Sequence, residues 1–241
     1  MRGIILSGGS GTRLKPLTKI TSKQLLPVYN RPMIYYPLNT LIKAGIKEIL
    51  IIVAPERAGD YLNLLGSGKD FGVKFTYEIQ DKPEGLAQAF IIGENFIDQE
   101  DVVMILGDNI FEDDFSEEIK NFKGGAKVFA KKVNDPERFG VVKFNDQMKA
   151  EKIVEKPQEY LSNYAVTGLY IYDRRIVEVA KSIKPSARGE LEITDVNNWY
   201  LEKGELEVGL VNGEWLDTGT FDSLLRAQNF AKEKMSDKML I

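Results

Sequence analysis

The chain has 241 residues, 43% of them hydrophobic and 28% charged, with a net charge of −4. This is the make-up of a soluble globular protein with one large domain or two small ones, and its negative balance gives no reason to expect nucleic acid as a partner. It contains no cysteine and no histidine, which excludes disulfides, thiolate nucleophiles, sulfur- or imidazole-bound metals and a Ser-His-Asp triad.

Chemistry must therefore come from carboxylates, Lys, Arg, Tyr, hydroxyls and the backbone, and an oxygen-only ligand set suits Mg²⁺. The chain opens on an apolar strand at residues 3–6 that runs into a glycine-rich loop, Gly8, Gly9 and Gly11. Arg13 ends the loop and Lys23 follows ten residues later. Glycines let backbone N–H groups close on an anion, and the Arg fork and Lys point charge both suit phosphate. Two common phosphate loops are excluded. Gly68-Lys69 is followed by Asp70, so there is no P-loop, and Leu14 occupies the place of the third glycine in a dinucleotide fingerprint. A tight turn with incidental glycines is the alternative; Arg13 and Lys23 favour phosphate.

Further strands are read at residues 48–53, 73–79, 102–106, 127–132, 140–144, 166–172 and 206–211. Helices are read between them at 32–45, 56–65, 84–96, 114–122, 174–181, 194–203 and 220–234. Pro32 and Gly45 bracket the first, matching the preference for proline at the start and glycine past the end. Apolar strands alternating with helices indicate an α/β protein with a mostly parallel sheet covered on both faces. After residue 126 the strands come closer together, with a hairpin expected at Asn145-Asp146. No Pro-, Ser- or Gly-rich linker divides the chain, so a single domain is expected. The longest apolar run, residues 49–54, is too short to span a bilayer, and the N-terminus does not read as a signal peptide. A cytoplasmic enzyme with no membrane partner is expected.

In open α/β sheets ligands bind beyond the carboxyl ends of strands. Asp108, in Gly107-Asp108-Asn109, follows the strand at 102–106 and is placed to hold Mg²⁺ beside nucleotide phosphates. Asp217 also lies between a strand and a helix. Helix capping is the alternative reading of each Asp, with Thr218 or Thr220 an equal candidate for the cap beside Asp217, and spacing alone does not show that the two meet. In Glu155-Lys156-Pro157 the proline is expected to hold Lys156 extended. Glu155 could accept from sugar hydroxyls and Lys156 could bind phosphate, or the segment is a salt-bridged surface turn. Arg188, beside Gly189, is a phosphate ligand or a solvated loop cation. Gln80 offers a donor and acceptors suited to a base edge, and Gly85 leaves room for backbone against the base.

Taken together, Gly8–Thr18, Lys23, Gln80 with Gly85, Gly107-Asp108-Asn109, Phe139-Gly140, Glu155-Lys156-Pro157, Arg188-Gly189-Glu190-Leu191 and Trp215-Leu216-Asp217-Thr218-Gly219 resemble the sugar-phosphate nucleotidyltransferases, in particular their thymidylyl-transferring branch. The resemblance runs through the whole chain. It implies a Rossmann-like three-layer nucleotidyltransferase fold, a nucleotide-binding half at about residues 1–125 and a sugar-phosphate-binding half at about 126–241. It implies conversion of dTTP and α-D-glucose 1-phosphate into dTDP-glucose and pyrophosphate with Mg²⁺, and leaves assembly into a homo-oligomer open. By resemblance Arg13 and Lys23 are catalytic, while Leu6, Gly8, Gly9, Gly11, Thr12, Gln80 and Gly85 bind the nucleotide. Asn109, Gly140, Glu155 and Val166 hold glucose, Lys156 and Arg188 hold its phosphate, and Asp108 and Asp217 bind the metal.

Two departures from the family stand out. Phe139 replaces a tyrosine of many relatives, so no hydroxyl contact is expected there. Longer members carry a C-terminal helical extension with an allosteric nucleotide site, and the resemblance ends at Ile241. UTP- or GTP-using relatives are the nearest alternative substrates. A non-catalytic sugar-nucleotide sensor would be expected to lose Arg13, Lys23, Asp108 or Asp217, and all four are present. A glycosyltransferase would be expected to carry Asp-x-Asp beside the strand ending at Leu106, where none occurs.

Overall fold

A computed structural model describes residues 1–9, 11–235 and 239. The N-terminal half alternates strand and helix. Strand β1 (Arg2–Ser7) is followed by 3-10 turns at Thr12–Leu14, Leu17–Lys19 and Lys23–Leu25, and by the two-residue strands β2 (Pro27–Val28) and β3 (Arg31–Pro32). Then come α1 (Tyr35–Lys43), β4 (Glu48–Val53), α2 (Ala58–Leu65), β5 (Lys74–Ile79), α3 (Gln88–Ile92), α4 (Glu94–Ile97), β6 (Val102–Leu106), β7 (Asn109–Phe111) and α5 (Ser116–Lys120). The second half holds β8 (Ala126–Lys132), β9 (Gly140–Phe144), β10 (Ala150–Glu155), β11 (Tyr164–Tyr172), α6 (Ile176–Ser182), α7 (Ile193–Glu202), β12 (Leu206–Leu210), β13 (Trp215–Asp217) and α8 (Phe221–Phe230), which continues as a π turn, Ala231–Met235.

The central sheet runs β10-β9-β11-β6-β1-β4-β5, with β8 on the free edge of β11 and β12 beyond it. Strands β6, β1, β4 and β5 are parallel, so their carboxyl ends open on one rim. Strand β11 runs against β6 and joins the second half to the same sheet. Two parallel strands need a crossover, and α1, α2, α3 and α4 supply it; in the second half β8, β9, β10 and β11 pair antiparallel, while β12 runs parallel to β8. The expected hairpin is present as β9 and β10, with Phe144 opposite Ala150.

Burial follows the period of two expected of a sheet covered on both faces. Ile4, Leu6, Leu50, Ile52, Val102 and Met104 pack with α3, α4, α6 and α7. Ile5, Ile49, Ile51, Val53, Val103 and Ile105 pack with α1, α2 and α5 on the opposite face. A third cluster, including Leu14, Leu26, Ile110, Leu216, Leu224 and Ala227, clamps α8 and the turns after the glycine loop against the short ribbon β7–β13. This cluster fixes the N-terminal loop and the Asp217 segment to each other.

The helix expected over residues 84–96 is shorter and broken. Residues 84–87 instead pair with Leu191: the Leu191 N–H donates to the Glu84 carbonyl at 2.7 Å and the Ala87 N–H to the Leu191 carbonyl at 3.2 Å. At the break, a Cβ on Gly93 would stand 2.9 Å from Leu50 Cδ2, so the chain approaches the sheet too closely there for a larger residue.

Candidate active site

Two cavities, of about 280 and 220 Å³, open side by side on the rim at the carboxyl ends of β1 and β6, and both are lined by Leu86, Leu106, Asp108 and Glu190. The smaller is also lined by Leu6, Gly9, Lys23, Gln24, Gln80 and Gly85. Gly8, Gly11 and Thr12 belong to the same loop without lining either cavity. Gly8 has a packing reason, since a Cβ there would lie 2.0 Å from Gln80 Oε1. Gln80 is buried, and its amide donates to Gln88 Oε1 at 2.7 Å, which fixes which way the amide points. Gly85 has φ +109°, and a Cβ on it would meet the Leu191 carbonyl oxygen at 2.3 Å. Its first requirement is therefore contact with residue 191.

The larger cavity gathers Arg13, Asn109, Gly140, Glu155, Lys156, Val166, Arg188 and Asp217 from seven separate stretches of chain. Glu155 Oε2 accepts from Thr194 Oγ1 at 2.7 Å. Arg188 is a pocket residue rather than a solvated loop cation, and is held by Glu192 at 2.8 Å, Glu190 at 3.1 Å and Glu155 at 3.5 Å. Lys156 departs from the expected extended backbone: its φ is +42°. Its N–H donates to the Phe139 carbonyl at 2.9 Å just past the paired residues Glu155 and Gly140, so the β9–β10 ladder overrides the preference imposed by Pro157. A lysine held in left-handed backbone is locally strained, and such strain concentrates at functional positions.

The two acidic residues expected to bind metal are brought together by a ribbon that the strand pattern did not reveal. β13 pairs with β7 so that Asp217 stands opposite Asn109, the neighbour of Asp108. Thr218 locks the junction, donating its N–H and its hydroxyl to the Asp108 carbonyl at 3.0 and 2.8 Å. Neither Asp is a helix cap, because Asp108 leads into β7 and the α8 cap is Thr220, in a reciprocal box with Ser223. Asn109 is buried, and its Oδ1 accepts from Trp215 Nε1 at 2.6 Å and from the Gly168 N–H at 3.0 Å.

Electrostatics divide the pair. Burial works to raise the Asp108 carboxyl, but the Lys23 ammonium bonded to it, with the Asn109 amide, holds it below the ordinary range. Burial, then the Asp108 charge, pushes Asp217 up to about 6, against Lys23, Arg13 and Arg138. Two facing carboxylates with one driven toward protonation form a place where a cation is favoured. No group of three or more metal-ligating side chains occurs among the described residues. A two-carboxylate donor set fits Mg²⁺, which takes one or two carboxylates and completes its shell with phosphate oxygens and water.

The same fold recurs in known proteins. The model of the nucleotidyl transferase family matches residues 2–234. The chain belongs to the nucleotidyl transferase family. It is 56% identical over 238 residues to a glucose-1-phosphate thymidylyltransferase of Neisseria meningitidis, covering 96% of this chain and 83% of that one. An enzyme of the same name from Mycolicibacterium smegmatis is 52% identical over 237 residues, with 96% and 82% covered. The crystal structure of a Bacillus anthracis protein assigned the same activity, in complex with sucrose, superposes with a TM-score of 0.92 at 51% identity, covering 97% of this chain and 96% of that one. A UDP-glucose pyrophosphorylase complexed with UDP-glucose shares the fold, with a TM-score of 0.84 at 24% identity.

Several residues of this nucleotidyl transferase site carry no mark in the sequence. Thr194, Glu192 and Arg138 all line the larger cavity. Thr194 reads in the sequence as an ordinary helix residue, and Trp215, which also lines the cavity, stands out there only as part of the family-like segment around Asp217. Only the pairing of β13 with β7 and the docking of α7 on β10 place them.

Proposed function

We propose that this enzyme transfers a thymidylyl group from dTTP to α-D-glucose 1-phosphate, releasing pyrophosphate. The observation that carries the reading is the meeting of two cavities at Asp108, one rimmed by the glycine loop and Lys23, the other by Glu155, Lys156 and Arg188. The high identity to enzymes of that name supports the same substrates. We assign the smaller cavity to the nucleotide, through Leu6, Gly8, Gly9, Gly11, Thr12, Gln80 and Gly85, and the larger to glucose 1-phosphate. The first half of the chain then carries the nucleotide and the second half the sugar phosphate. Acting on a nucleoside triphosphate, the enzyme would work in the cytoplasm.

In the reaction an oxygen of the sugar phosphate forms a bond to the α-phosphorus of dTTP, and the bond from that phosphorus to the β-phosphate oxygen breaks. A phosphate monoester has its second pKa near 6 and is mostly dianionic at neutral pH, so no general base is required and a chain without histidine suffices. The obstacle is charge: two unit charges 4 Å apart repel by about 4 kcal/mol at an effective dielectric near 20. Lys156 and Arg188 hold the sugar phosphate, Lys23 offsets the charge on the α-phosphate, and Arg13 takes the departing diphosphate. Asn109, Gly140, Glu155 and Val166 orient the glucose. Asp108 and Asp217 would hold Mg²⁺, which when bound would supply further neutralisation of the phosphate oxygens.

A pyrophosphate-release assay over dTTP, UTP and GTP, each with a series of sugar 1-phosphates, tests the reading. The fastest turnover is expected with dTTP and glucose 1-phosphate. UTP is expected as a slower second substrate, because a methyl pocket discriminates by only about 1–3 kcal/mol. A preference for GTP, or nucleotide binding without pyrophosphate release, would overturn it.

A further inference from the structure

Lys23 begins a 3-10 turn, Lys23–Leu25, and is flanked by two buried polar residues. Ser22 and Gln24 are both buried, and both reach the hydroxyl of Tyr61, a fully buried residue of α2. The Ser22 and Tyr61 hydroxyls are 2.7 Å apart, Ser22 Oγ donates to Gln24 Oε1 at 2.7 Å, and Tyr61 OH lies 3.2 Å from the same oxygen. Two hydroxyl protons serve three close contacts, so the oxygens form a directed chain that ends on Gln24. Gln24 in turn packs beneath the other half of the Lys23–Asp108 pair: a Cβ on Gly107 would lie 2.9 Å from Gln24 Cγ and 2.3 Å from Ser7 Oγ.

From this we infer that Tyr61 is a positioning residue for transfer, acting through Ser22 and Gln24 to hold the Lys23 ammonium at the junction of the two cavities. The inference rests on the role proposed for Lys23. The backbone of the turn is held by the Ile34 N–H, which donates to the Gln24 carbonyl at 2.8 Å, and Lys23 itself by Asp108; no side-chain cap holds the turn, so the Tyr61 network is what fixes the Ser22 and Gln24 side chains on either side of Lys23. Tyr61 is the informative position to test. It lines neither cavity, whereas Gln24 lines the smaller one and could touch the nucleotide directly. The chemistry of the cluster also points away from simple packing. A phenylalanine would fill the same space in α2, and a hydroxyl removed from water is costly unless it is hydrogen-bonded.

Tyr61→Phe deletes one oxygen and keeps the ring. In the full chain, kcat is expected to fall about tenfold or more, since small displacements of a charge-stabilising group are costly, with the KM for glucose 1-phosphate within about twofold of the parent. Ser22→Ala is expected to show the same split and provides a second test should Tyr61→Phe fold poorly. In a Lys23→Ala background Tyr61→Phe is expected to cost nothing further, whereas a purely structural effect would add in full. A parent-like kcat in both single variants, or a raised KM with kcat unchanged, overturns the inference. If Lys23→Ala leaves no measurable turnover, the split between kcat and KM decides alone. A fully active Lys23→Ala would instead refute the role given to Lys23, so the two failures are distinguishable.

Discussion

Asp217 faces a second carboxylate across a two-stranded ribbon, and its ionisation is costly in the metal-free protein. Its pKa lies near 6 in the fold against an ordinary value of 3.8, chiefly through burial and then through Asp108. Between those values the folded protein binds more protons than the unfolded chain, so this group makes stability fall as pH rises from about 4 to about 6. Asp217→Asn removes that penalty. In the absence of metal it is expected to melt above the parent, by a margin larger at pH 7 than at pH 5. The same substitution is expected to raise the Mg²⁺ concentration needed for half-maximal turnover. An unchanged Mg²⁺ titration in this variant would remove Asp217 from the metal site. Asp108 behaves oppositely, because Lys23 sits on it and keeps it ionised.

Among the elements, the strands were the most legible. β4, β6 and β9 lie where the sequence places them, and in β4 and β6 the reason is that a strand buried on both faces has no solvent side to break the apolar run. The helix at 84–96 was less so. Its sequence favours helix, but residues 84–87 have a better partner in Leu191, 100 or more positions away. Gly85 is the point at which this contact is tested. Alanine there would carry φ +109° and press its Cβ onto the residue 191 backbone at 2.3 and 2.5 Å. Gly85→Ala is expected to cost about 2 kcal/mol or more and to raise the KM for dTTP, since the same residue lines the smaller cavity. Thermal melting together with steady-state kinetics checks both, and an unchanged melting temperature would mean that the 85–191 contact is dispensable. Lys156 makes the same point: a local proline rule gave way to a hydrogen bond fixed by strand pairing.

At the scale of the whole molecule, the packing and the chemistry are physically separate. The two large core clusters lie on the two faces of the sheet, while the charged groups stand beyond its rim. Removing metal should therefore leave the fold intact. EDTA is expected to reduce turnover to background while shifting the melting temperature by only a few degrees, the size expected for loss of a weakly bound ligand. Unfolding on chelation would show that the paired aspartates are a structural site. The sequence alone determined the alternating α/β order, the glycine loop with its cations, the absence of any histidine-based chemistry and the family resemblance, because each of these is written in neighbouring residues or in composition. Only the tertiary structure decided that Asp217 meets Asp108, that Arg188 turns into the larger cavity and that Tyr61 stands behind Lys23. Asp217 and Asp108 are 109 residues apart, Tyr61 and Ser22 39, and Arg188 and Glu155 33, and the energies of these contacts come from sheet pairing and burial, which no local window of sequence contains.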